Sequence, residues 1–282
     1  MALISGGFYY HLRALRYSRT LWKPYHRAVE TWLTQVVLPV SADTLFVVGV
    51  SGGYALPESF LRRFKRVVAI DPDPWAKRIF SRKMSQISKK LSHETGSECE
   101  LRFVARALRI DELAQLEFSE CPEGSSRSAW LFSNLIGQLS LETAPEVKSI
   151  VQDWQKNLPE FLSLRSWVSF HDRLSGGLRP NIQDGEVRQK TRPSDTDRGF
   201  ARAREAEPVS NETLVREFYA GAAGELDDHE TENFFRGLMP SAQFHYFVWQ
   251  LVPGRFHLIE GLSSHPQREA VLLKEAVPQS LS

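Results

Sequence analysis

Phe46-Val-Val-Gly-Val-Ser-Gly-Gly-Tyr54, followed 22 residues after Gly49 by Asp71, is the stretch that decides the fold. Thr44 to Val50 is a short, nearly continuous apolar run, which reads as a strand covered on both faces in the centre of a parallel sheet. It runs directly into Gly49, Ser51, Gly52 and Gly53, whose small side chains let the backbone turn tightly and approach a ligand without a Cβ clash. A short helix with Leu56, Phe60, Leu61 and Phe64 leads to a second buried run, Val67 to Ile70, ending in Asp71-Pro-Asp-Pro74. A helix after the turn would point free N–H groups at a ligand there. Asp71, at the end of the neighbouring strand, is placed to accept hydrogen bonds from both hydroxyls of a ribose.

Upstream, Phe8, Leu12 and Leu15 recur at helical spacing, and Trp22, Tyr25, Val29, Trp32 or Leu33, and Val36 continue such a stripe around Pro24, which predicts two N-terminal helices closed by Pro39. Downstream, Pro74 opens a helix whose apolar stripe, Trp75, Ile79, Phe80, Met84, Ile87 and Leu91, lies opposite a basic, solvated face. Leu101–Val104, Ala129–Phe132 and Ser166–Phe170 read as further strands, with a helix through Val147, Ile150, Val151, Trp154 and Leu158 before the last of them. Strands and helices alternate, so the fold class is α/β: a doubly wound, mostly parallel sheet with helices on both faces. Its ligands belong beyond the carboxyl ends of the strands.

From Ser175 to about Asn211 large apolar residues nearly vanish, as in a loop or insertion. Two amphipathic segments follow, one with Leu214, Val215 and Phe218 and one with Phe234, Phe235 and Leu238, each expected to be a helix. Phe244–Val252 and Arg255–Ile259, separated by Pro253-Gly254, then predict an antiparallel C-terminal hairpin. The expected layout is an N-terminal helical cap over residues 1–40, a ligand-binding core over 41–174, an insertion or lid over 175–240, the closing hairpin over 241–265, and a tail over 266–282.

At these residues the chain resembles the class I S-adenosylmethionine-dependent methyltransferases, which are Rossmann-like. Gly49-x-Ser51-x-Gly53 is similar to their glycine-rich first motif with Ser at the middle glycine; Asp71 looks like their ribose-binding acid, and Asn134 falls where their fourth motif ends its strand. The resemblance covers residues 40 to 172 and the hairpin around Pro253-Gly254, similar to the reversed last strand of that fold. It implies a methyltransferase with S-adenosylmethionine as cofactor, bound by Gly49, Ser51, Gly52, Gly53, Asp71 and Asn134. Two positions depart from the pattern: Val47 stands where the family usually has an acid, and Arg106 where it often has another. They leave a non-catalytic, methyltransferase-like binding protein as an alternative.

Methyl transfer asks the protein to align the acceptor and, where needed, to take its proton. Asn134 and His171, at the ends of the fourth and fifth strands, are the candidate catalytic residues. The adjacent Asp172 would point to the opposite face from His171. A second reading takes Gly49-Val-Ser-Gly-Gly53 as the nucleophile elbow of an α/β-hydrolase, with Ser51 as nucleophile and Asp172 and His257 or His265 completing a triad. The helical first 43 residues leave no room for the strands that such a fold needs ahead of its serine. An NAD-dependent reductase comes third, since Tyr54 occupies the last glycine position of its fingerprint.

Composition bounds the partners. In 282 residues, 35 basic and 34 acidic side chains give a net charge of +1, which offers no chain-wide field for a polyanion. A small-molecule substrate is expected, with an RNA substrate held locally left open. Cys99 and Cys121 have no partners at metal-ligand spacing, so no metal is expected, and Asp227-Asp228-His229-Glu230 reads as a helix start. No apolar run approaches the ~20 residues of a membrane span, so a soluble, cytoplasmic protein is expected. The basic stretch before Glu30 contains no acid, and makes a mitochondrial location the alternative.

Overall fold

In the computed structural model, which describes residues 7–36, 38, 41–122, 124, 127–139, 145–178, 210–235, 238 and 243–264, the two N-terminal stripes form α1 (Gly7–Tyr17) and α2 (Lys23–Gln35). Pro24 sits in the first turn of α2, where a missing N–H costs no intrahelical bond. Then come β1 (Thr44–Val48), α3 (Glu58–Leu61), β2 (Arg66–Ile70), α4 (Pro74–Thr95), β3 (Glu100–Val104), α5 (Ile110–Glu120), β4 (Ser128–Ser133), α6 (Ile136–Leu139), α7 (Pro145–Ser163) and β5 (Trp167–Gly177). After α8 (Asn211–Gly221) and the two-residue β6 (Asp227–Asp228), the chain closes with β7 (Gln243–Val252) and β8 (Arg255–Ser264).

The strands line up in the order β3-β2-β1-β4-β5-β8-β7. From β3 to β5 all neighbours are parallel; β8 is antiparallel to both β5 and β7, with Gly254 at a φ of 81° in the turn between the last two strands. Every residue of β1 and β4 is buried, as their apolar runs require. Alternation along β1 divides the core into two layers: Leu45 and Val47 pack toward Val29, Phe60, Phe80 and Met84, and Phe46 and Val48 toward Trp130, Phe132, Trp154 and Phe161. Helices therefore cover both faces, and β1 and β4 part at the switch in strand order.

The structure corrects the sequence expectations in three places. Two helices, α5 and the four-residue α6, were not anticipated. The strand expected to end at Phe170 continues to Gly177, because β8 pairs along its whole length, from Trp167 opposite Ser264 to Gly177 opposite Arg255. In place of the second insertion helix, Asp227 and Asp228 pair with Ser175 and Leu174, and a single 3-10 turn, Thr231–Phe234, follows. Phe234 and Phe235 are both buried, and Glu230 has a φ of 49°, which no helix continues through. Residues 179–209, most of the expected loop, and His265 with the tail beyond it lie outside the described residues.

α6 lies close against β5: a Cβ on Gly137 would sit 2.2 Å from the carbonyl oxygen of Asp172. Gly137→Ala is expected to lower stability by about 3 kcal/mol, the upper end for overpacking, read as a lower urea midpoint at unchanged slope. An unchanged midpoint would mean that α6 can retreat from β5 without loss.

Candidate functional site

The turn after β1 is held by backbone geometry. Gly49, Ser51 and Gly53 have φ values of 74°, 49° and 64°; the Gly49 N–H donates to the Ile70 carbonyl and that of Gly53 to Val50. At Gly53 a Cβ would lie 2.5 Å from the Phe80 ring, so only glycine lets the turn rest on α4. Lys83 of α4 donates to the Gly53 and Leu56 carbonyls, and burial pushes its ammonium down to about 8. The expected helix-terminal N–H groups are not at this turn. α3 begins five residues beyond Gly53 and is a single turn long.

Asp71 is buried at the end of β2. One carboxylate oxygen accepts the Ser51 N–H at 2.7 Å and the other that of Asp73 at 2.8 Å. Burial pushes this carboxyl up, against the pull of those two donors. A carboxylate has about four acceptor positions, and these bonds use two. Asp73 is a second organiser, the N-cap of α4: one oxygen accepts the Trp75 N–H of α4, and the other binds the Gly7 N–H and His11 Nε2 of α1. His11 Nδ1 in turn lies 2.8 Å from the Tyr54 hydroxyl, so α1 is tied across the turn.

Asn134, just past β4, also has a positive φ, 52°; its N–H donates to the Phe170 carbonyl, and its Oδ1 is buried without a partner among the described residues. Ser51 Oγ is buried and unpartnered in the same way. These groups meet at a cavity of about 600 Å³ at the β1/β4 switch, lined by Gly49, Ser51, Asp71 and Asn134 on one side and by aromatic residues of α1, α2 and β7 on the other. Leu108, Leu135, Ile150 and Trp154 form an apolar slot beside Asp71 and Asn134. Gly52 and Gly53 shape the turn without lining the cavity. Val47 points into the core, whereas Arg106 lines the cavity and pairs with Glu112 at 2.6 Å.

His171 lies elsewhere. It is fully buried in β5, with Ser169 Oγ 2.9 Å from Nδ1, Glu260 3.4 Å from Nε2 and Phe235 stacked on its ring, and it does not line the cavity. Facing the core opposite Glu260 on β8, it is a packed histidine rather than the base expected from its position at a strand end. The hydrolase constellation does not assemble either. Asp172 and His257 pair at 3.3 Å, but neither Ser51 Oγ nor His257 Nε2 has a hydrogen-bond partner among the described residues. Burial alone would raise the Asp172 carboxyl; the neighbouring His257, with His229 and His171, brings it below its ordinary value. Asp227 pairs with Arg255, Asp228 with Arg173, and His229 binds the Gly137 carbonyl and Ser175. Among the described residues no three His, Cys, Asp or Glu side chains converge on a metal position, and no helix is long and apolar enough to cross a membrane.

The strand order, with β8 reversed between β5 and β7, and the glycine turn at the switch point decide the architecture. The fold is Rossmann-like, with a reversed strand in the closing hairpin. No family model matches the chain, and no curated protein sequence does. Solved structures similar to it include the magnesium protoporphyrin IX methyltransferase of Synechocystis PCC 6803 with bound S-adenosylhomocysteine, at 10% identity over 88% of this chain and 86% of that one, with a TM-score of 0.41. The N-methyltransferase NodS of Bradyrhizobium japonicum WM9, in complex with the same ligand, is 11% identical over 87% of this chain and 88% of its own, with a TM-score of 0.42. Likenesses this remote leave substrate and catalytic residues to the geometry of the site itself.

Two expected results bear on this site. Ser51→Gly removes the hydroxyl at a backbone conformation that glycine adopts without strain, so S-adenosylhomocysteine affinity should stay within about threefold and stability within about 1 kcal/mol. A fluorophosphonate probe should leave wild-type Ser51 unlabelled; labelling would restore the hydrolase reading. The second concerns His26, a cavity-lining residue that the helical stripe did not single out. Burial, helped by the charge of Lys83, lowers its imidazole from 6.5 to about 4. Between those values the unfolded chain binds more protons. The stability that His26 permits is therefore full above pH 6.5 and declines as pH falls toward 4, by at most about 3 kcal/mol at 1.36 kcal/mol per unit. His26→Leu should flatten that acid limb in urea titrations; an unaltered pH profile would show that the imidazole titrates normally.

Proposed function

We propose that the chain is an S-adenosylmethionine-dependent methyltransferase acting on a small-molecule acceptor. The observation that carries this is Asp71: a buried carboxylate at the end of β2, beside a glycine turn, with two acceptor positions left over and a cavity in front of them. Two ribose hydroxyls match that vacancy in number and polarity. The unpartnered Oδ1 of Asn134 suits an amino donor, and the slot of Leu108, Leu135, Ile150 and Trp154 suits a flat base. When bound, S-adenosylmethionine supplies an electrophilic methyl group on a sulfonium. The protein's own part is to hold the nucleoside by Asp71 and the turn, to orient by Asn134, and to exclude water with α1, which Asp73 and His11 fasten over the turn. Gly52 and Gly53 serve by shape.

The test is transfer of tritium-labelled methyl from S-adenosylmethionine into a cell extract. Label is expected in low-molecular-weight, solvent-extractable product. Label confined to a nuclease-sensitive fraction would replace the acceptor class by RNA, and no transfer to any fraction would favour the binding-protein alternative.

A further inference from the structure

The cavity has two chemically different walls. Besides Asp71 and Asn134, it is lined by Tyr10, Trp22, Tyr25, Tyr54 and Trp249. These rings form one contiguous, mutually packed surface: Trp22 meets Trp249 edge to face at 5.1 Å, Tyr25 stacks on Trp249 at 5.2 Å, and Tyr10 lies 5.6 Å from Trp22 and 6.0 Å from Tyr54. Two of their five polar tips are spent inside the protein, while Trp249 Nε1 is buried without a partner among the described residues. Trp22 Nε1 donates to the Leu251 carbonyl at 3.0 Å, and the Tyr54 hydroxyl is joined to His11. A preformed wall of this kind offers area and shape to a flat ligand at little ordering cost.

Charge is arranged to the same end. Besides His26 and the tyrosines Tyr10, Tyr25 and Tyr54, the described ionisable residues lining the cavity are Asp71, Asp73 and Arg106. Asp73 is saturated by Gly7, Trp75 and His11, Arg106 is bridged to Glu112, and Asp71 binds the turn while its two remaining acceptor positions belong to the nucleoside in the methyltransferase reading. Asp172, behind the rings, is paired with His257. Among the described residues no unpaired charge stands on the aromatic wall to compensate an anionic or cationic ligand, and a desolvated charge without a partner binds poorly. Polar groups of this region that make no hydrogen bond among the described residues include Trp249 Nε1, which can only donate, and the cavity-lining His26 imidazole. Burial keeps it neutral near pH 7, so one ring nitrogen is free to accept a hydrogen bond.

We propose that the aromatic wall receives the methyl acceptor, and that the acceptor is an uncharged, ring-bearing molecule that presents a single hydroxyl to His26. This rests on the methyltransferase reading for its identity as an acceptor, and on the cavity alone for its binding class. Neither a carboxylate-bearing nor an ammonium-bearing ligand finds its counter-charge here. A flat apolar ring finds a contiguous aromatic surface.

The test uses four probes with one ring system, naphthol, naphthalene, naphthoate and naphthylmethylammonium, titrated calorimetrically into the full-length wild-type protein at pH 7, with S-adenosylhomocysteine binding measured first. Naphthol is expected to bind at least about tenfold more tightly than either charged probe. It should bind about fivefold more tightly than naphthalene, the worth of one hydrogen bond. His26→Leu should erase the preference for naphthol over naphthalene while leaving naphthalene binding in place, a change that simple misfolding does not produce. A charged probe that matches naphthol, or no binding of any ring probe by a protein that does bind S-adenosylhomocysteine, overturns the proposal. Naphthol selectivity in a protein that ignores S-adenosylhomocysteine supports the apolar site and overturns the methyltransferase reading instead.

Discussion

Asp71→Ala should weaken S-adenosylhomocysteine binding by about a hundredfold, since two hydrogen bonds to a charged acceptor are worth roughly 2 to 3 kcal/mol together. The carboxylate does two jobs in the structure. It fixes the turn through the Ser51 N–H and the start of α4 through the Asp73 N–H, and it faces the cavity with its remaining lone pairs. Truncation thus removes the ribose acceptor and loosens the turn that shapes the site, so both effects act in one direction. The acid side of the pH profile carries a signature of the same group. Because burial raises the Asp71 pKa above 3.8, the ionised acceptor is lost as pH falls, beginning at a higher pH than for an ordinary carboxylate. Calorimetric titration of the wild type and of Asp71→Ala, with circular dichroism to confirm that the variant is folded, checks this. Affinities within about threefold of each other would remove Asp71 from the site, a loss far below one charged hydrogen bond.

Gly49→Val should be the more damaging change to the fold of the site. Gly49 has a φ of 74°, and a Cβ there would lie 2.8 Å from Leu135 Cβ and 3.0 Å from the Ser133 carbonyl. The left-handed conformation costs a β-branched residue at least roughly 1 to 2 kcal/mol, and the clash adds about 1 to 3. A total near 4 kcal/mol falls on the point where β1 and β4 diverge, so the turn and the Asn134 loop must both move. Thermal unfolding should show a large drop in Tm, and ligand binding should be lost even where the variant remains folded. Retained binding at near wild-type Tm would mean that the two loops are not mechanically joined.

What the sequence discloses here follows from how local each cause is. β1, β2 and β4 are buried on both faces, and continuous apolar runs announce that without any knowledge of their neighbours. The Pro253-Gly254 turn is equally local. β5 beyond Phe170 was hidden because Asp172, Ser175 and Gly176 carry no strand signal of their own; pairing with β8 makes them a strand. The polar residues on this stretch, His171 with Glu260 and Asp172 with His257, are partnered across strands, so their burial could not be read from spacing. At the site, the glycines and Asp71 were legible because a turn and an acid at a fixed interval are chain-local. Asp73, His11 and His26 were not, since their role comes from α1 and α2 folding back over the sheet. His171 misled for a related reason: β5 runs on to Gly177, so this residue sits within the strand rather than at its end, and its side chain is buried away from the cavity.

The measurement that tests the central claim most directly is a crystal structure of the wild-type protein grown with S-adenosylhomocysteine. Both ribose hydroxyls should lie within hydrogen-bond distance of the Asp71 carboxylate, with the nucleoside in the crevice between the ends of β1 and β4 and the base against Leu108 and Leu135. Ligand density elsewhere, or Asp71 still bonded only to Ser51 and Asp73 with the crevice empty, would contradict it.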